Sequence, residues 1–212
     1  MATPDNHTLL EPMSLHDPIQ FTALHNQRVL CGWRNALSDI ESLRAASDSG
    51  TQIIFWIVPP SLSHLPAPER YVGHIAGSRK IYPDEEKGLP FKTAIDLHTF
   101  FILQEHRGGG LGRAAVRALE RVACSELGWP DCRVITLNTL ARRYVEEDEW
   151  REFATGPHEQ MGAVLPAKGK SNEDWYGRMG YAKWKEEELY EAVGDDGQAI
   201  KLGASFMWKM VG

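Results

Sequence analysis

The residues best suited to chemistry stand at Arg107-Gly-Gly-Gly-Leu-Gly-Arg113. Gly108, Gly109, Gly110 and Gly112 fill four of five positions, a cost in backbone entropy that a plain turn does not require. They permit positive φ and let a ligand meet the main chain without a Cβ in the way. A run rich in β-branched and aromatic residues, Thr93 to Leu103, and a polar corner, Gln104-Glu-His106, lead into the loop. Beyond it, Leu111, Ala115, Ala118, Leu119 and Val122 recur on one helical face. Strand, glycine loop and helix start make an anion cradle, because the first N–H groups of a helix lack intrahelical acceptors and carry partial positive charge. Arg113 in the first turn opposes the helix dipole, a conflict that a bound anion removes. A Walker A loop is excluded, since no Lys-Ser/Thr follows the glycines. A dinucleotide fingerprint fails because its last glycine would fall on Arg113.

A third phosphate pattern, Gln/Arg-x-x-Gly-x-Gly/Ala, fits Arg107 to Gly112. Tyr176-Gly-Arg-Met-Gly180-Tyr181 fits a second signature, Tyr-x-x-x-Gly-Phe/Tyr. In these two stretches the chain resembles the GCN5-related N-acetyltransferase (GNAT) superfamily. The resemblance implies acetyl-CoA as cosubstrate and no metal. Its pyrophosphate would lie on Arg107, Gly108, Gly109, Gly110, Leu111, Gly112 and Arg113. The pantetheine arm would pair with the exposed strand edge at Phe100, Phe101 and Ile102, with the Ile102 N–H polarising the thioester carbonyl. Tyr176 would serve the departing thiolate, and Asp96 stands where histone-type members carry a basic-acting Glu. The chain departs from the family at Gly169 and Asn172, where an Asn that contacts CoA and an Ala are usual.

Acetyl transfer to an amine needs a polarised thioester, a neutral amine and a stabilised thiolate. Period-2 alternation along Thr93–Leu103 sets Asp96 and His98 on the face of Phe100 and Ile102. His98 has the more suitable free pKa for a base. Asp96, His98 and a water chain therefore all stay open for that role. Asn138, on the following strand, is placed to orient the amine. The acidic run Glu146 to Glu149, with Trp150 and Phe153, reads as a lid at about residues 141–170 that attracts a cationic acceptor. Cys124 and Cys132 lie in a helix and at a strand start, so direct transfer in a ternary complex is expected rather than a covalent relay. The rival in another class is a CoA-binding sensor that keeps the loop without catalysis.

The net charge of −6 gives no global attraction to nucleic acid or anionic membrane. A small-molecule amine or lysine-type acceptor is expected, acted on by a monomer or homodimer. The scattered Cys31, Cys124 and Cys132 read as reduced thiols, not a disulfide framework or zinc site. No apolar run approaches the roughly 20 residues of a membrane span. The N-terminus lacks signal-peptide regions, so the expected compartment is the cytoplasm, with the nucleus open.

The elements that must position these residues can be read in order. Thr8–Met13 is a short strand. Asp17-Pro18 caps a helix to about Asn26, and a second helix runs from Arg34 to Ala46. Strands follow at Thr51–Val58, at Tyr71–Ile81 with Gly73 and Gly77 inside it, and from Thr93, with a hairpin connection at Asp84–Pro90. After the glycine-loop helix come a strand at Arg133–Leu140, the long polar segment, and a short helix within Asn172–Tyr181. Final strands at Ala182–Ala192 and Lys201–Val211 flank a Gly194-Asp-Asp-Gly197 turn. The order β-α-α-β-β-β-α-β-α-β-β gives an α/β (α+β) class. It matches the GNAT fold, a mixed and mostly antiparallel central sheet packed by helices in a single domain over 1–212.

Overall fold

The structure is a computed structural model that describes residues 9–82, 89–125, 129, 132–151, 154, 165–193 and 199–211. The expected connections at 84–88 and 194–197 lie outside the described residues, as does the Cys124 side chain. The elements in chain order are β1 (Leu10–Pro12), α1 (Pro18–Cys31), α2 (Leu37–Asp48), β2 (Gln52–Ile57), β3 (Gly73–Ile81), β4 (Thr93–Ile102), α3 (Leu111–Ser125), β5 (Val134–Leu140), α4 (Arg143–Glu146), α5 (Asn172–Gly177), β6 (Ala182–Val193) and β7 (Ala199–Met210). Asp17 caps α1 by accepting from the Ile19 N–H at 2.8 Å, with Pro18 in the first turn. The helix outlasts its expected end at Asn26 and stops at Gly32, which takes a left-handed φ of 76°. Two N–H bonds from Gly32 to the Arg28 and Val29 carbonyls close that end.

The strands form one seven-stranded sheet in the order β1-β2-β3-β4-β5-β7-β6. Every neighbouring pair is antiparallel except β4 and β5, which run parallel. That parallel pair is joined only at Ile95↔Ile135 and Asp96↔Thr136, and beyond them the strands part. The alternation of side chains gives the sheet two cores. On one face α3 packs Ala115, Val116 and Leu119 against Ile75, Ile95, Leu97, Ile135 and Leu137. On the other, α1 and α2 bring Leu24 and Ile40 onto Ile54, Trp56 and Ala76. A smaller cluster of Leu140, Tyr144, Val145, Ala154, Leu165 and Leu202 caps the far end of β5. Within the 141–170 segment, Ala141, Tyr144, Val145, Ala154 and Leu165 are buried in this cluster.

The two glycines of β3 have distinct structural reasons. A Cβ on Gly77 would meet the Ile95 Cγ2 at 3.0 Å, so the small residue lets β3 and β4 close up beneath α3. A Cβ on Gly73 would overlap the carbonyl oxygen of Phe101, a backbone atom that cannot rotate away. Gly73→Ala should therefore lower the unfolding free energy by about 1–3 kcal/mol, as overpacking does. Urea denaturation with an unchanged midpoint would show that β4 can move away from β3 at no cost.

Candidate active site

The mouth of the split sheet is built by a bulge in β4. His74 pairs with Phe101 and Ala76 with His98, so Thr99 and Phe100 together face Ile75. Thr99 takes a φ of 50°, a left-handed conformation that a β-branched residue adopts only under strain. The extra residue inverts the alternation. Before the bulge, Ile95 and Leu97 face α3 while Asp96 and His98 face the α1–α2 side. After it, Phe100 and Ile102 face α3, and Phe101 turns to His74 on the α1 side, ring centroids 5.7 Å apart. The expected common face for Asp96, His98, Phe100 and Ile102 is thus corrected. The first two stand on the opposite face of the sheet from the last two.

The edge of β4 toward β5 has no strand partner after Asp96. The Leu103 N–H bonds back to the Val72 carbonyl on the β3 side at 2.9 Å. Successive backbone N–H groups alternate between edges, so the Ile102 N–H points into the opening between β4 and β5. The Arg107 Nε donates to the Ile102 carbonyl at 2.7 Å, and its guanidinium lies 5.3 Å from the Phe101 ring centroid. The Arg107 side chain is thereby used to hold the loop against the strand end.

Gly108 and Gly110 adopt φ of 90° and 83°, which needs glycine. A Cβ on Gly108, Gly109 or Gly110 would meet nothing within 4 Å. The loop therefore borders open space, and its glycines are not there to admit another part of the fold. Gly112 differs, because its Cβ would touch Ile102, Phe100 and Trp175 at 3.5 Å. The first intrahelical bond of α3 runs from the Ala114 N–H to the Gly110 carbonyl at 3.1 Å. The N–H groups of Leu111, Gly112 and Arg113 precede it, so they have no intrahelical acceptor. No acidic residue stands in the first turn.

Tyr176 lies on α5, whose N-cap Ser171 accepts from the Asp174 N–H at 3.1 Å. Its ring packs edge-on against Trp175 and Tyr181, at 4.8 Å and 5.6 Å between centroids. Burial, with the neighbouring Tyr190, pushes its phenol well above the ordinary range, so it stays protonated. Asp96, on the other face, is raised by burial and lowered by Lys80 and by the Thr136 hydroxyl, which donates to its Oδ1 at 3.0 Å. His98 is lowered to about 4 by burial and by the Arg34 and Arg28 cations. Both of its ring nitrogens are engaged, Nε2 with the Ser78 Oγ at 2.6 Å and Nδ1 with the Thr99 Oγ1 at 2.7 Å.

Asn138 shares the Thr136 face of β5, and its Oδ1 accepts from the Tyr190 hydroxyl at 2.9 Å. Tyr190 was not singled out in the sequence. It meets the Trp33 ring edge-on at 5.4 Å, and Asp96 is among the causes that raise its phenol. The structure thus brings Asp96, His98 and Asn138 to one face with Tyr190 and Trp33. The Glu146 carboxylate accepts from the Gly169 N–H at 2.9 Å, and Trp150 packs edge-on against Tyr144 at 5.7 Å. Glu146 also lines a cavity of about 450 Å³ shared by Arg142, Arg143, Glu147, Glu173, Lys183 and Glu186, in which Arg143 and Lys183 pair with Glu186. Among the described residues no group of three or more His, Cys, Asp or Glu could hold a metal, and no helix is long and apolar enough to cross a membrane.

A mixed sheet split at its parallel pair, with a helix N-terminus at the mouth, defines the acyl-CoA N-acyltransferase fold. A family model described as the Acetyltransferase (GNAT) family matches residues 32–148, more than half of the chain, and the chain belongs to that family. Solved structures agree on the fold. Arabidopsis thaliana NAA60 in complex with acetyl-CoA is similar at 12% identity and a TM-score of 0.59, covering 95% of this chain and 97% of that one. An aminoglycoside 6'-N-acetyltransferase complexed with coenzyme A is similar at 15% identity and a TM-score of 0.55, covering 96% and 97%. A spermidine N-acetyltransferase SpeG chimera from Vibrio cholerae and hSSAT is similar at 13% identity and a TM-score of 0.53, covering 95% and 94%. No curated protein sequence matches the chain.

The open space before Gly109 gives a direct test. Its φ lies outside the left-handed range and an added Cβ meets nothing, so Gly109→Ala should leave stability within about 0.5 kcal/mol. The same methyl should raise the Kd for CoA about ten-fold, the loss of roughly one charge-assisted hydrogen bond. Calorimetric titration showing wild-type affinity would remove this loop from the phosphate site.

Proposed function

We propose that this protein transfers the acetyl group of acetyl-CoA to a primary amine in a single ternary complex. The observation that carries the reading is the cleft at the end of the β4–β5 pairing, bordered by a free helix N-terminus. Leu111, Gly112 and Arg113 would hold the pyrophosphate through their N–H groups. The Ile102 N–H would polarise the thioester carbonyl, where charge develops in the transition state. The Tyr176 hydroxyl accepts and donates no hydrogen bond among the described residues. It is therefore available to the departing thiolate. With its phenol raised and a thiol near a pKa of roughly 8.5, it acts by hydrogen bonding rather than full proton transfer.

Asp96 suits the base role better than His98. A histidine lowered to about 4, with both nitrogens engaged, has neither the basicity nor a free lone pair. Asp96 has Oδ1 held by Thr136 and an Oδ2 with no partner among the described residues. Its raised pKa moves it toward the range of a working base. Asn138 and Tyr190 would orient the amine. The acceptor is a small-molecule amine or lysine-type group, the protein works as a monomer or homodimer in the cytoplasm, and neither nucleic acid nor membrane is a partner.

Thiol release from acetyl-CoA with a panel of polyamine, aminoglycoside and peptide amines tests the reading. CoA binding without turnover on any amine would instead make the protein a sensor. Tyr176→Phe should lower kcat about ten-fold or more while leaving the KM for acetyl-CoA near wild type. Asp96→Asn should lower kcat about 100-fold and abolish the acid limb of the pH–rate profile. The sign follows from the role. The carboxylate must be ionised, so the rate rises with pH through its raised pKa and is lost below it. An acid limb kept in Asp96→Asn would hand the proton to water.

A further inference from the structure

The last paired rung of β4 and β5 sets Thr136 beside Asp96. A chain of hydroxyl donors ends there. The Tyr82 hydroxyl donates to the Thr136 Oγ1 at 3.0 Å, and the Thr136 hydroxyl donates to the Asp96 Oδ1 at 3.0 Å. Its origin is rigidly held. The Tyr82 N–H bonds to the Lys92 carbonyl at 2.8 Å, and the Tyr82 ring meets Phe91 and Trp184 edge-on at 5.6 Å and 6.1 Å. Tyr82 and Thr136 are 4% and 2% exposed, so water does not compete for either hydroxyl. The direction of the chain follows from chemistry. An ionised carboxylate only accepts, so Thr136 must point its proton at Oδ1, and its oxygen is then free to accept from Tyr82.

We infer that Tyr82 and Thr136 are positioning residues that fix the rotamer of Asp96 and set its basicity, leaving Oδ2 as the atom that takes the amine proton. The inference rests on Asp96 as the base only for its effect on rate. A carboxyl group with one oxygen tethered presents the other in a defined direction, at the rung where the cleft opens. A hydrogen bond given to the ionised form holds the pKa down against burial. Lys80 from β3 acts on Asp96, and Asp96 acts on Tyr190 from β6; Asn138 from β5 and His98 from its own strand share its face of the sheet, with Arg34 and Arg28 acting on His98. Lys80 and Thr136 lower it, and among the described residues only the Thr136 side chain hydrogen-bonds to its carboxylate. The proton balance is simple. A substrate ammonium gives one proton to Oδ2, the amine becomes a neutral nucleophile, and the carboxyl becomes neutral.

Thr136→Val keeps the shape of the side chain and removes the donor. The Asp96 carboxyl pKa, followed by 13C NMR, should rise by about one unit in this variant, as loss of a hydrogen bond to a charged group implies. Thr136→Ser should restore the wild-type value, and Tyr82→Phe should move it in the same direction by less. The acid limb of kcat/KM should follow each change. An unmoved NMR pKa in Thr136→Val, or an equal shift in Thr136→Ser, would overturn the inference. A shifted NMR pKa with an unmoved acid limb would uphold the tuning by Thr136 and overturn Asp96 as the base.

Discussion

The functional geometry depends on a pairing that is nearly absent. β4 and β5 are parallel neighbours joined at two rungs, Ile95↔Ile135 and Asp96↔Thr136. A parallel pair closed along its full length would leave no cleft, and a pair with no rungs would leave no common sheet. The last rung is also where side chains clamp the strands, through Thr136 and Asp96 on one face and the Ile95–Ile135 pair in the α3 core on the other. Beyond it each strand satisfies its outer edge elsewhere, β4 through β3 and β5 through β7. The inner edge of β4 is left with backbone groups that need a partner. An extended arm with amide groups, such as that of pantetheine, meets that need as a strand would.

The bulge at Thr99 makes the opening useful on both faces. Without it, Phe100 and Ile102 would share a face with Asp96, and the apolar wall of the loop side would lie over the carboxylate. With it, Phe100 and Ile102 pack beneath Gly112 and Trp175, while Asp96 looks toward the α1–α2 side. The left-handed φ of Thr99 is a local strain held by the surrounding sheet. In the proposed reaction, donor and acceptor would then approach one strand edge from opposite sides, as direct transfer requires.

The order of elements, the sheet strands and the glycine-loop helix were legible because each rests on local signals: period, caps and turn residues. Asp17-Pro18, the β2 run and the α3 stripe each appear within a few residues of their expected bounds. What was not legible came from long-range contacts. A one-residue bulge leaves no trace in the Thr93–Leu103 pattern, so the common face of Asp96 and Phe100 could not be refused from sequence alone. Tyr190 became a site neighbour only because β7 inserts between β5 and β6, which no local pattern states. Thr136 had one faint signal, since it lies two residues before Asn138 and must share its face. Glu146 shows the limit of a local signal: its acidic neighbourhood suggested a lid, while its partner, the Gly169 N–H, lies 23 residues on.

The choice between two candidate bases shows why residue type is a weak guide to role. Histidine has the better free pKa, but the α1–α2 face already holds a cation. Arg28 is 3% exposed and donates to the Trp33 and Arg34 carbonyls and to the Cys31 Sγ, which fixes the loop where Gly32 and Arg34 take left-handed φ. Burial and then its charge lower His74, and burial with Arg34 and then Arg28 lowers His98. Protonating either ring would add a further positive charge to a poorly solvated region, which disfavours the charged form of both. Under the proposed function, the same field would act on a substrate ammonium reaching this face and favour its neutral, nucleophilic form. In the proposed role Asp96 would receive the displaced proton, and burial raises it toward that task while Lys80 and Thr136 limit the rise. Under the proposed function, the loop that would shape the acceptor side and part of the field that would prepare the amine thus trace to the buried guanidinium of Arg28, with Arg34 adding to that field.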